Sequence, residues 1–391
     1  MYGYLTRQGR IRENVANQSL MENMVSLETL KPYFQGKKVF LTGHTGFKGA
    51  WLLMVLHQLG AQVKGFSLEP EHAYDLYPRI DGESLCSSSI LHDLRDSDRL
   101  IRELLIFEPD YVFHLAAQPL VMRGYTDPLY TFQVNTEGTA TVLESVRLLE
   151  KRCVAVMITT DKVYENNDGG TIFTEDDRLG GHDPYSASKA ACELIIASYR
   201  KSFFSGKQET VKALASVRAG NVIGGGDFAD NRIIPDIIRA VMQEQTVTLR
   251  HPNAIRPWQH VLEPVSAYLQ LAARLSEDPQ TFSTAYNIGP DAASPMTVEA
   301  LTQHIIQRVG KGQYQIDAQS EKVHEAATLQ LSTQKIEREL GWKPKLTTPE
   351  AINWTVDWYM DTRPEIQRCH DQIDLFFKLG HCKLISFCCG K

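Results

Sequence analysis

No apolar stretch in this chain approaches the ~18–20 residues that a membrane helix requires. The longest early run, Ala50 to Leu56, stops at His57. Cysteine is sparse: seven in 391 residues, odd in number and without paired spacing. That excludes a disulfide framework and points to a reducing cytoplasm. Positive charge is not in excess either. Against 41 Lys and Arg stand 47 Asp and Glu, for a net charge of -6. The basic field of a nucleic-acid-binding surface is missing, although a local basic pocket remains open. Internal repeats and low-complexity tracts are absent as well. The opening MYGYLTRQGRIREN carries three arginines with no apolar core behind them, so it is not read as a secretory signal. What is present is ample: 43% hydrophobic residues can build a large core without staples. At ~150 residues per domain the length implies two to three structural units.

Along the chain, Lys38–Thr42, Gln62–Ser67, Ser89–His92, Tyr111–Leu115, Ala155–Thr159 and Ala213–Arg218 read as short apolar strands. Helical patterns fall between them at Ala50–Leu56, Ser97–Phe107, Leu129–Leu149 and Tyr185–Phe204. Strands alternating with helices predict crossover units, and strands apolar on both faces predict a buried parallel sheet. The expected class is α/β: a Rossmann-type doubly wound sheet with a smaller mixed C-terminal lobe. Beyond the turn cluster Gly224-Gly225-Gly226-Asp227 the segments shorten. Helices are predicted at Ile233–Gln243, Pro264–Arg274, Val298–Val309, Thr333–Leu340 and Pro349–Met360, with strands at Val247–Leu249 and Tyr286–Ile288. The expected division is a mobile leader over 1–36, with one short helix at Leu20–Leu30. A dinucleotide-binding domain over 37–220 follows, with some return segments from the C-terminal half. A substrate lobe over 221–361 and a tail over 362–391 complete the chain. The tail's Cys382, Cys388 and Cys389 match no zinc spacing, so no metal is expected and the tail is read as unstructured or weakly docked.

Two motifs carry chemistry. Gly43-His44-Thr45-Gly46-Phe47-Lys48-Gly49 sits between a strand and an apolar helix. Its glycines suit a tight turn, close approach of backbone to a pyrophosphate, and close helix–strand packing. The helix N-terminus offers oriented N–H groups to the phosphates. The spacing is not that of a nucleoside-triphosphate loop. At the end of the second strand, where an acidic residue usually holds the ribose of NAD, stands Ser67, with Glu69 two residues on. NAD is favoured there and NADP is not excluded. The second motif is Tyr185-x-x-x-Lys189, two side chains on one helix face. A phenol near pKa ~10 is a weak base. A neighbouring ammonium and an oxidised nicotinamide are expected to lower it. Thr159-Thr160 ends an apolar strand, the place where open parallel sheets bind ligands.

Together these residues resemble the extended short-chain dehydrogenase/reductases that act on nucleotide sugars, over roughly Lys38 to Asp361. The resemblance includes Asp93-Leu94 at the adenine and Ala116-Ala117-Gln118 beneath the cofactor. It continues through Asn135, Arg218-Ala219-Gly220-Asn221 and Tyr286-Asn287-Ile288-Gly289. Thr160-Asp161-Lys162 resembles the catalytic segment of the 4,6-dehydratases. That segment, the glycine turn and Arg256-Pro257-Trp258-Gln259-His260-Val261 resemble the branch that takes CDP-glucose.

The resemblance implies an internal oxidation and reduction through NAD, with loss of water between. It gives Tyr185 the proton at sugar carbon 4, Lys189 the ribose, and Thr160 the carbon-4 oxygen. Asp161 is the candidate acid for the departing hydroxyl. Lys162 is either the base at carbon 5 or a charged stabiliser of the enolate. Arg232 and Arg256 are the phosphate candidates. Asn221 is set near the diphosphate or sugar. His260 is open between a ligand and a structural role, and Trp258 is read as packing. Self-association as a dimer or tetramer is implied, through the helices carrying Tyr185 and following Asn135. The role implied is deoxysugar supply for bacterial surface polysaccharide. A same-fold C4-epimerase or decarboxylase would not need an acid placed as Asp161. A non-enzymatic NAD-sensing regulator would not keep Tyr-x-x-x-Lys.

Overall fold

A computed structural model describes residues 25–167, 169–204, 211–229, 232–290, 296–317 and 329–379. Most of the expected leader and all three tail cysteines therefore lie outside the described residues. The first helix, α1 (Leu27–Phe34), starts where Ser26 and Thr29 cap one another: Thr29 N donates to Ser26 Oγ at 3.1 Å and Ser26 N to Thr29 Oγ1 at 3.0 Å. The helix expected over Leu20–Leu30 falls partly outside the described residues; within them the helix starts after this cap.

Seven strands form one parallel sheet: β1 (Lys38–Thr42), β2 (Gln62–Ser67), β3 (Ser88–Leu91), β4 (Tyr111–His114), β5 (Cys153–Ile158), β6 (Lys212–Ala219) and β7 (Ala285–Ile288). Their order is β7-β6-β5-β4-β1-β2-β3, every pair parallel. The order turns back at β1, which lies between β2 and β4 and so creates a crevice at the carboxyl ends of β1 and β4. β5 and β6 are buried along their whole length, which is why β5 is apolar without alternation; β6 buries Lys212, Ser216 and Arg218 as well.

Helices cover both faces. α2 (Phe47–Gln58) is buried on nearly every side, Gly49 through Leu56, because the sheet lies beneath it and later helices above. α3 (Ser97–Phe107) and α4 (Gly138–Leu148) pack together on the other face with α5 (Pro184–Phe203). The single helix expected over Leu129–Leu149 is three pieces: Pro128–Phe132, a π turn at Gln133–Glu137, and α4. The interruption centres on Asn135, in keeping with the tendency of π turns to sit at functional sites.

The C-terminal half does not stay apart. β7 returns to the edge of the main sheet beside β6, and α7 (Leu262–Glu277) packs on β5 and β6. The remainder builds small pieces around the carboxyl edge: α6 (Ile233–Met242), α8 (Val298–Val309), and Thr246–Leu249 paired in parallel with Gln313–Ile316. α9 (Thr348–Met360) then leads into α10 (Glu365–Lys378). Part of the expected tail is therefore an ordered helix. Cys369, Ile373, Phe376 and Phe377, spaced at helical period, are all buried, and α10 packs on α2 and α9. Each large apolar side chain so covered contributes on the order of 1.5–3 kcal/mol. No described helix is long and apolar enough to cross a membrane.

Candidate active site

The glycine turn connects β1 to α2 at the crevice. Gly43 has φ 76°, and a Cβ there would lie 2.7 Å from Ala116 N. A Cβ on Gly49 would lie 1.9 Å from the Gly43 carbonyl oxygen. The turn is thus closed on itself and on the end of β4, leaving Gly46 exposed at the N-cap of α2. This is a cradle that fits a dinucleotide pyrophosphate on the helix N-terminus.

Around it the expected residues divide into those that face a ligand and those that hold the frame. His44 is fully buried, its Nε2 2.8 Å from Ser89 Oγ and its ring edge-on to Tyr77. Burial pushes its imidazole down to about 4, so it is neutral. Gln118 and Asn135 are spent on each other: Gln118 N donates to Asn135 Oδ1 at 2.8 Å, and Asn135 Nδ2 donates to Ser188 Oγ at 2.9 Å. The Gln118 side chain also binds Leu120 and Thr131. Ala116 N donates to Thr42 Oγ1 at 3.2 Å, and Ala117 is half-buried beside it. Leu94 lies beneath Gly138, where a Cβ would meet it at 2.3 Å. Both oxygens of Asp93 accept from Arg95, which holds the carboxyl below its usual range.

Ser67 has a defined polarity. Thr45 Oγ1 is 2.9 Å from the Leu68 carbonyl, which can only accept, and 2.7 Å from Ser67 Oγ. Thr45 has one hydroxyl proton and gives it to Leu68, so Ser67 donates to Thr45. The lone pairs of Ser67 remain to accept from a ribose hydroxyl. A ribose phosphate has no proton to give them at that point.

The reacting groups meet across one cavity of about 580 Å³, lined by Phe47, Lys48, Thr160, Asp161, Lys162, Tyr185, Asn221, Arg232 and Arg256, among others. α5 begins at Asp183, whose carboxylate accepts from Ser186 N at 3.0 Å, and Pro184 follows at the first turn. That start sets Tyr185 toward the cavity and Lys189 one turn below it, where its Nζ donates to Ile158 O at 3.4 Å. Burial pushes the Tyr185 phenol above its ordinary value, against the pull of Thr160 and Arg232. Within the chain alone desolvation outweighs the Thr160 hydrogen bond and the Arg232 charge, whereas the expected lowering also counts a positive nicotinamide. Burial also lowers the Lys189 ammonium.

Asp161 is 1% exposed. Its Oδ1 accepts from Thr160 Oγ1 at 2.8 Å and Lys162 Nζ at 3.4 Å, while its buried Oδ2 has no partner. Arg232 donates to Asp227 at 2.8 Å.

His260 does not join them. It is fully buried, edge-on to Trp51 and Trp354, and its Nδ1 accepts from Leu262 N at 3.3 Å. That resolves its open role toward structure: two indoles and a helix start fix the ring away from the cavity. Trp258, 1% exposed, packs into the main core.

Sequence reasoning missed the support behind the site. Glu193, one further turn along α5 from Lys189, accepts from Thr159 Oγ1 at 2.6 Å, Ser216 Oγ at 2.9 Å and Arg218 Nη2 at 2.9 Å. Arg218 also donates to Tyr164 Oη at 2.8 Å, which donates to Asn287 Oδ1 at 2.6 Å. This chain ties the end of β5 to β6 and β7. Removing one member of the buried pair costs on the order of 3–5 kcal/mol. The signal for Glu193 was its i+4 spacing from Lys189.

Comparison with known proteins agrees with this geometry. Residues 40–355 match the family described as GDP-mannose 4,6 dehydratase. The chain is 41% identical over 332 residues to the CDP-glucose 4,6-dehydratase of Salmonella typhimurium, covering 84% of this chain and 92% of that one. Among solved structures, the dTDP-glucose 4,6-dehydratase of Streptomyces venezuelae with NAD bound superposes with a TM-score of 0.70 at 22% identity, over 83% of this chain and 98% of that one. The UDP-glucose 4-epimerase of Thermotoga maritima gives 0.67 at 18% identity, over 83% and 98%.

Proposed function

The chain belongs to the GDP-mannose 4,6-dehydratase family, and from that premise we propose that it is a lyase converting CDP-glucose to CDP-4-keto-6-deoxyglucose and water. The observation that carries this reading is the partnerless, buried Oδ2 of Asp161 in the same cavity as Tyr185. An epimerase has no leaving group to protonate; a dehydratase does.

The glycine cradle and the acceptor polarity of Ser67 support NAD as the resident cofactor. When bound, NAD would supply a hydride acceptor for sugar carbon 4 and a donor for carbon 6, where the returning hydride is matched by a proton restored to carbon 5. Tyr185 takes the carbon-4 hydroxyl proton, its phenol brought down by the positive nicotinamide. Thr160 positions that oxygen, and Lys189 holds the ribose. Once carbon 4 is a ketone, the hydrogen at carbon 5 becomes acidic. Asp161 passes a proton, taken up on its Oδ2 once substrate is bound, to the departing carbon-6 hydroxyl, and Lys162 removes the carbon-5 proton or stabilises the enolate that forms. Arg232, Arg256 and Asn221, all on the cavity wall, hold the diphosphate and sugar.

The exposed Leu129, Phe132 and Leu194 on the Pro128–Phe132 and α5 surface support self-association through that face. The reading includes a cytoplasmic enzyme that supplies deoxysugars for surface polysaccharide such as O-antigen. Incubation with CDP-glucose, followed by the alkali-induced absorbance of a 4-keto sugar, tests it. Signal with another nucleotide-glucose alone would move the base preference and leave the reaction standing.

A further inference from the structure

Lys48 is the second residue of α2, inside the glycine turn, and its side chain lines the cavity with Asp161, Tyr185 and Arg232. The turn offers its phosphate contacts through backbone N–H groups, for which the side chain at this position is not needed. Yet a cation is placed here. Four charged groups face it: Arg232 and Lys189, which repel it, and Asp161 and Asp227, which attract it. The two carboxylates are already engaged, Asp227 by Arg232 at 2.8 Å and Asp161 by Lys162 at 3.4 Å. Among the described residues the Lys48 ammonium makes no hydrogen bond or ion pair of its own.

In this junction Lys48, Lys162, Lys189 and Arg232 stand against Asp161, Asp183 and Asp227, while Asp236 on the same wall pairs with Arg239. Glu193 beside Lys189 is neutralised by Arg218. The excess of positive charge is the complement of a diphosphate.

We propose that the Lys48 side chain is itself a ligand-binding group, clasping a diphosphate at the seam between the glycine turn and the substrate cavity. A dinucleotide and a nucleotide sugar each carry a diphosphate, and both have the chemistry required. A charge-assisted bond from an otherwise unpaired ammonium corresponds to about 10- to 100-fold in affinity. It also leaves a pH signature. Burial, then Arg232 and Lys189, hold the ammonium down to about 8. A neighbouring dianion pushes it back up. Binding therefore takes up a proton above that pH, and affinity falls as pH rises through it.

The test is titration calorimetry on the purified full chain, with NAD and with CDP as separate probes, for wild type, Lys48→Met and Lys48→Arg. Only the choice of CDP rests on the dehydratase reading. Lys48→Met is expected to weaken one probe about 10- to 100-fold, and whichever is weakened identifies the diphosphate. Lys48→Arg is expected to keep the affinity and to lose the proton uptake, which a merely misfolded variant would not do. Wild-type affinity of Lys48→Met for both probes overturns the proposal. Failure of wild type to bind CDP overturns the CDP-glucose reading instead, and the NAD arm still judges Lys48.

Discussion

Replacing Asp161 by Asn separates the two halves of the reaction. The asparagine Oδ1 can keep the bonds that Thr160 and Lys162 give to Asp161 at 2.8 Å and 3.4 Å. An amide then takes the place of the partnerless Oδ2. The shape is preserved, but an amide N–H does not hand over its proton. Loss of a positioned general acid costs ~10²- to 10⁴-fold, which is about 3 to 5 kcal/mol of barrier. In the proposed mechanism the oxidation at carbon 4 depends on Tyr185, Thr160 and Lys189, which the change leaves in place. Turnover is therefore expected to fall by that factor while the keto sugar still forms. Quenched-flow mass spectrometry of the nucleotide sugar reads this directly. Wild type passes to the dehydrated product, and Asp161→Asn accumulates the 4-keto sugar that retains its carbon-6 hydroxyl. Turnover at the wild-type rate would refute the acid assignment. Loss of the keto sugar as well would refute the separation of steps.

Three further outcomes follow from the same geometry. Gly49→Ala sets a methyl 1.9 Å from the Gly43 oxygen; the turn must open, and NAD titration should show affinity at least ~10-fold weaker in a protein with unchanged circular dichroism. Ser67→Ala removes the acceptor aimed at the ribose, and the ratio of NAD to NADP affinity should drop about 3- to 10-fold. Glu263 lies in the core in the first turn of α7, where burial raises its carboxyl to about 8. The folded state thus keeps a proton that the unfolded chain releases near ~4.3. The stability this gives is complete at low pH and is lost as pH rises toward that value. Urea midpoints at about pH 5 and about pH 8 should differ more in wild type than in Glu263→Gln.

The sheet and the turn were legible because the strands are short, most carry an apolar centre, and β1 runs straight into glycine. Tyr185 and Lys189 were legible because helical spacing puts them on one face. Side-chain direction was not. Nothing in the order Trp258-Gln259-His260 says that His260 turns between two indoles, and nothing local says that Asn135 faces Gln118 across a π turn. Long-range return was equally hidden. β7 is a short four-residue strand that could sit in either lobe, and only its pairing with β6 assigns it. α10 is a different case. Its Cys369, Ile373, Phe376 and Phe377 carry a helical period that the cysteines beyond them obscured.

The central claim is that one bound cofactor moves the hydrogen of carbon 4 to carbon 6 of the same sugar. Incubating the purified protein with CDP-glucose deuterated at carbon 4 tests it most directly, read by proton and deuterium magnetic resonance of the product. The account predicts CDP-4-keto-6-deoxyglucose with the deuterium at carbon 6. Deuterium retained at carbon 4 of an epimerised sugar, or a keto product without deuterium at carbon 6, would contradict it.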